Sequence, residues 1–135
     1  SKIMQNILNS MKNIAVVGFS PDSNKASNHV GCYLIDMGFN VFPIYPKSGE
    51  IKGRKIYQSI DEISEKIDTI VMFRKAEFAT ELAKKAINLG VKNLWLQLGI
   101  VNDEAKQIAQ NAGLNFIQDA CIMIEHKRFK NDKSK

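Results

Sequence analysis

Gly18, Ser20, Lys25 and Ser27 stand close together, directly behind an apolar run, Ile14 to Val17. A strand that stops at glycine and enters a helix through an unobstructed polar loop presents backbone N–H groups and the positive end of a helix. Both favour a bound phosphate. Two more cations, Lys47 and Arg74, follow later apolar runs, where a polyphosphate gains from positive charge. A second constellation is Cys121 with His126, five residues apart, a thiol and an imidazole that could pair as nucleophile and base. Only Glu125, its neighbour, is placed to orient that imidazole, and Cys121 in Ala-Cys-Ile-Met-Ile reads as a small buried hydrophobe. No catalytic set is expected. Two cysteines and two histidines at these separations, with His29 at a helix start, also make no metal site.

The phosphate-binding residues need a scaffold that brings strand ends together, and the rest of the pattern specifies one. Residues 12–18 read as a buried strand, because Ile14 to Val17 are continuously apolar, as in a parallel sheet covered on both faces. Over 27–37 the apolar positions Val30, Tyr33, Leu34 and Met37 recur at helical spacing, and Gly38 is a stop. Further strands are expected over 40–45, 69–73, 92–96 and 114–117, with helices over 76–89 and 103–112. A loop over 46–53, a short strand at 55–57 and a short helix opening at Ser59 fall between the second and third strands.

This alternation specifies βαβ units: an α/β, doubly wound (Rossmann-like) parallel sheet of five strands with helices on both faces. In such sheets ligands collect beyond the carboxyl ends of the strands, where strand order reverses. The candidate site is therefore drawn from residues 18–27, 45–47, 73–75, 97–100 and 119–126.

With 135 residues, 44% hydrophobic and 24% charged, the chain fits one globular domain. Its apolar runs fall far short of the roughly 18 residues of a membrane span, so no membrane association is expected. Residues 1–11 read as an amphipathic helix with Ile3, Ile7, Leu8 and Met11 on one side, rather than as a secretory signal. Residues 12–126 form the ligand-binding domain in this reading, and 127–135 a basic, frayed tail. That tail carries five basic residues and one acid, most of the formal net charge of +5, so the body is near neutral and no nucleic-acid partner is expected. Two cysteines are too few for a disulfide scaffold; reduced thiols and a cytoplasmic location follow.

Among phosphate ligands, the sequence discriminates. A dinucleotide fingerprint needs three glycines in the first turn and an acid ending the second strand; here Gly18 is alone and the strand ends Tyr45-Pro46-Lys47. NAD is disfavoured. No P-loop motif is present, and the acids of a response regulator are replaced by Gly18-Phe19-Ser20 and Phe73-Arg74.

From Lys12 to His126 the chain resembles the small stand-alone CoA-binding proteins, whose Rossmann-like domain also forms the N-terminal part of the succinyl-CoA synthetase α subunit. The resemblance rests on Val17-Gly18-Phe19-Ser20 with Lys25 and Ser27, Pro43-Ile44-Tyr45-Pro46-Lys47, Phe73-Arg74, the stretch Trp95 to Asn102, and Asp119 to His126. It implies a CoA site: Gly18, Phe19, Ser20 and Ser27 around the pyrophosphate, with Lys25 in the same loop, Lys47 at the 3′-phosphate, and Pro46 before it as a further binding residue. It further implies Phe73 against adenine, Arg74 as a second cation, and Gln97 and Gly99 after the fourth strand. Gln97 stands where the synthetase has an acid. The resemblance also implies binding without catalysis, because the synthetases transfer phosphoryl groups through a histidine in a further domain, before which this chain ends. An enzyme acting on a CoA thioester or nucleotide through Cys121 and His126 is the alternative. A protein partner that reads CoA occupancy is compatible with either.

Overall fold

The computed structural model describes residues 1–134. Its elements are α1 (Lys2–Ser10), β1 (Asn13–Val17), α2 (Ala26–Asp36), β2 (Asn40–Ile44), β3 (Glu50–Ile51), β4 (Arg54–Lys55), β5 (Thr69–Met72), α3 (Ala79–Asn88), β6 (Asn93–Leu96), α4 (Asp103–Asn111), β7 (Asn115–Ile117) and α5 (Ile122–Lys133). Five strands pair in parallel in the order β2-β1-β5-β6-β7. The expected doubly wound α/β sheet is therefore present. Pro43 is tolerated because β2 lies at the sheet's edge. Beyond Pro43, Tyr57 makes a parallel bridge to Ile44, and β3 and β4 form a small hairpin turning through Lys52 and Gly53, both at positive φ.

Successive strand residues point to opposite faces, and each face has its own core. On one, Ala15, Ile70, Met72, Leu94 and Leu96 meet the alanines of α3 and α4, whose small side chains let the helices approach closely. On the other, Ile14, Val16, Val71 and the fully buried Trp95 meet Leu34 of α2, Ile7 and Leu8 of α1, and Ile122 of α5. Burying Trp95 obliges its indole N–H to find a partner, and it donates to the Ala120 carbonyl at 2.8 Å.

Two expectations are corrected. Ile3 is 57% exposed, so the inward stripe of α1 consists of Ile7 and Leu8, followed by buried Met11. Residues 127–133 are not a frayed tail but continue α5, because Ile122, His126 and Phe129 recur at helical spacing and pack inward. Lys135 lies outside the described residues. Among the described residues, no helix is long and apolar enough to cross a membrane, and no group of three His, Cys, Asp or Glu side chains is placed to hold a metal ion.

The amino end of the sheet is laced by its own side chains. Asn40 Nδ2 donates to Asn13 Oδ1 (2.8 Å), Asn93 Nδ2 to Thr69 Oγ1 (3.0 Å) and Asn115 Nδ2 to Asn93 Oδ1 (2.9 Å). Asp68 closes the belt, accepting the Asn13 N–H (2.7 Å), the Lys12 N–H (3.1 Å) and the Thr69 hydroxyl (2.7 Å).

Candidate functional site

The order of strands reverses between β1 and β5, and there the carboxyl ends of β1, β2 and β5 enclose a cleft of about 490 Å³. Gly18, Tyr45, Pro46, Gln58, Phe73 and Arg74 line it above a floor of Val17 and Ile44. Glycine is required where β1 ends: Gly18 has φ +84°, and a Cβ there would stand 3.3 Å from Arg74 Cγ and from the Phe73 backbone. Arg74 is exposed and lays its guanidinium 4.0 Å from the Phe78 ring centroid. A second cavity, of about 250 Å³, adjoins the first across Arg74 and Gln58 and reaches Phe78 and Leu82. Gln58 was not anticipated from the sequence. It follows Tyr57, whose N–H and carbonyl pair with Pro43 and Tyr45, and this pairing brings the next residue to the strand ends.

The loop from β1 to α2 is closed on itself. The Gly18 and Phe19 N–H groups both donate to the Ile44 carbonyl (2.9 and 3.1 Å), the Ser20 N–H to Ser27 Oγ (3.0 Å) and the Asp22 N–H to Ser20 Oγ (3.1 Å). These amides are not free for a ligand, contrary to expectation. The N–H groups of Ser23, Ala26 and Ser27 have no hydrogen-bond partner among the described residues, and Lys25, at the cap position before α2, supplies no side-chain hydrogen bond. The anion-binding potential of this loop therefore lies at the helix start rather than at the strand end. Ser20 and Ser27 are buried beneath it; each hydroxyl accepts one bond and retains a proton to donate. Lys25 is exposed at the same place.

Phe19 is corrected from a ligand contact to a core residue. Its ring is fully buried, and a Cβ built on Gly31 would stand 2.3 Å from it, so the ring rests against the backbone of α2. Lys47 follows Pro46 at the cleft's edge and is exposed. Gln97 and Gly99 do not join the cleft. Gln97 is buried, and its Oε1 accepts the Ile122 N–H (3.0 Å), capping α5 from a distant part of the chain. The Gly99 N–H donates to Asp119 Oδ1 at 2.8 Å, tying the loop after β6 to the loop after β7.

His126 is likewise committed elsewhere. Its Nδ1 shares a 2.7 Å hydrogen bond with the Tyr33 hydroxyl, and its ring packs edge-on against Tyr33 and Phe39. Burial holds its pKa below the ordinary histidine value, and the nearby Lys130 charge adds to the effect. Cys121 occupies the cap position of α5 without a side-chain hydrogen bond.

A family model described as a CoA binding domain matches residues 12–127. The Uncharacterized protein YneT of Bacillus subtilis (strain 168) is 33% identical over 123 residues, 91% of either chain. A solved structure, a hypothetical protein from Pyrococcus horikoshii OT3, aligns with a TM-score of 0.90 at 37% identity, covering 96% of this chain and 91% of its own. The α subunit of acetate–CoA ligase (ADP-forming) I from Pyrococcus furiosus is 30% identical over 108 residues; these cover 73% of this chain but 23% of the ligase subunit.

Proposed function

The chain belongs to the CoA binding domain family, and on that premise we propose that it binds coenzyme A or an acyl-CoA at the carboxyl ends of β1, β2 and β5, without chemistry of its own. The observations that carry this reading are the cleft at the strand reversal, which Gly18 lines at the end of β1, and the unpartnered amides at the other end of the loop that runs from Gly18 into α2. The donor set suits a diphosphate carrying a nucleoside. Ser23, Ala26 and Ser27 supply amide hydrogens, Ser20 and Ser27 supply hydroxyl protons, and Lys25 adds positive charge. Lys47 and Arg74 offer cations at the rim, with Lys47 assigned to the 3′-phosphate as a compact point charge. Phe73 and Pro46 give the apolar wall that a purine packs against. Gly18 keeps the wall open by carrying no side chain. Gln97, Gly99 and Phe19 act from behind, holding α5, the loop after β6 and the root of α2 in place.

An enzyme working through Cys121 and His126 is the weaker reading, because the imidazole is already bonded to Tyr33 and enclosed by rings. A base must reach the proton that it abstracts.

Titration calorimetry with CoA, dephospho-CoA and NAD tests the proposal. CoA is expected to bind most tightly and NAD not measurably, and Lys47→Ala is expected to remove the preference of CoA over dephospho-CoA. Binding of NAD without binding of CoA overturns the reading. An unchanged preference in Lys47→Ala takes the 3′-phosphate away from that lysine.

A further inference from the structure

The helix that replaces the expected basic tail sorts its charges by side. Glu125, Arg128 and Asp132 face a small cleft of about 120 Å³ against α1, where Arg128 pairs with Glu125 at 2.9 Å. Lys127, Lys130 and Lys133 face the other way, along a groove between α5 and the end of α2. The groove consists of two clefts of about 440 and 310 Å³ that share Met37 and Lys130. Its floor is apolar, formed chiefly by Met11, Met37, Phe39 and Phe129. None of the residues lining either cleft is acidic.

The three lysines have no carboxylate partner among the described residues. They rest instead on soft groups: Lys130 Nζ lies 3.4 Å from Met37 Sδ, Lys127 Nζ 5.4 Å from the Tyr33 ring centroid, and Lys133 Nζ 5.3 Å from that of Phe129. Such contacts are weak and easily exchanged for a carboxylate. Charge stands on one wall only, since the facing residues Leu8, Asn9, Met11 and Tyr33 carry none.

We propose that this groove docks an acidic amphipathic helix of a partner protein, with an apolar stripe on Met37, Phe39 and Phe129 and carboxylates against Lys127, Lys130 and Lys133. A concave apolar floor beside a single cationic wall matches a helix that is apolar on one side and anionic on the next. A nucleic-acid strand is better served by cations on both walls, and a flat bilayer by a convex face. The groove is separate from the strand-end cleft, so the proposal does not depend on CoA binding.

The probe is a fluorescent helical peptide of about 14 residues bearing one leucine stripe and one glutamate stripe. Saturable anisotropy is expected with the native chain, weakened by about tenfold or more when Lys127→Glu, Lys130→Glu and Lys133→Glu are combined. The amide resonances of Tyr33, Met37 and Phe129 in the native chain are expected to shift on titration, and those of Ser23 and Ala26 to stay still. This second readout needs no variant to fold. No saturable binding, equal binding of a lysine-striped peptide, or shifts confined to the strand-end cleft overturns the proposal. So does tighter binding of a single-stranded oligonucleotide or of phosphatidylglycerol vesicles through the same lysines.

Discussion

The two ends of the parallel sheet are built from the same strands and finished in opposite ways. At the amino end, Asn40, Asn13, Thr69, Asn93 and Asn115 bond to one another across the strands, and Asp68 takes up the N–H groups of Lys12 and Asn13. At the carboxyl end, glycine, proline and aromatic residues leave a cleft, the amides of Ser23 in the loop and of Ala26 and Ser27 at the start of α2 keep their hydrogens free, and Lys25, Lys47 and Arg74 stand exposed. The contrast separates two tasks that an identical backbone can be given. Short polar side chains in register satisfy an end, whereas residues that lack reach leave it open.

The sharpest test of this division removes the keystone of the closed end. Asp68→Ala leaves two backbone N–H groups and a buried hydroxyl without their acceptor, at an expected cost of about 3 kcal/mol in urea unfolding. Affinity for CoA in titration calorimetry is expected to stay the same. A matching loss of CoA affinity would show that the two ends are not independent.

At the open end, Gly18→Ala forces a side chain into a positive-φ position and to within 3.3 Å of Phe73 and Arg74. The expected cost is smaller, about 1 kcal/mol of stability, accompanied by about a tenfold loss of CoA affinity as the cleft wall shifts. Retained affinity would place the ligand elsewhere along the strand ends.

The smallest effect belongs to neither end. His126 is held below its ordinary pKa by burial, then by Lys130, with Lys127 and Tyr33 close by. The unfolded chain therefore binds a proton over a range where the folded one does not. Stability is expected to be full above about pH 6.5 and to decline as the pH falls toward the lowered value. Urea midpoints measured across that range, compared with His126→Gln, check the sign: the variant should show a flatter profile.

Much of this architecture was legible because it is local. Continuous apolar runs marked the strands, glycines marked helix ends, and residues following the strands marked the place where Gly18, Pro46, Phe73 and Arg74 converge. What escaped is long-range. The inward stripe of α5 was masked by the basic residues between Ile122, His126 and Phe129, and its cap is supplied by Gln97 rather than by a neighbouring side chain. Gln97 therefore read as a ligand residue at a strand end, although its amide serves a helix 25 residues away. Phe19 sat inside the most telling motif, yet its fate depends on the space left by Gly31. Likewise, no single-residue property of Gly18 or Ser20 reveals that Ile44 and Ser27 already occupy their amides.

The pinning of Phe19 against Gly31 bears on the kinetics of recognition. With the aromatic ring wedged onto the helix backbone at Gly31, the loop root is packed against the second turn of α2, which would preorganise the amides between them. For the proposed ligand, little ordering entropy would then be left to lose at encounter, and association is expected to be limited by desolvation rather than by rearrangement.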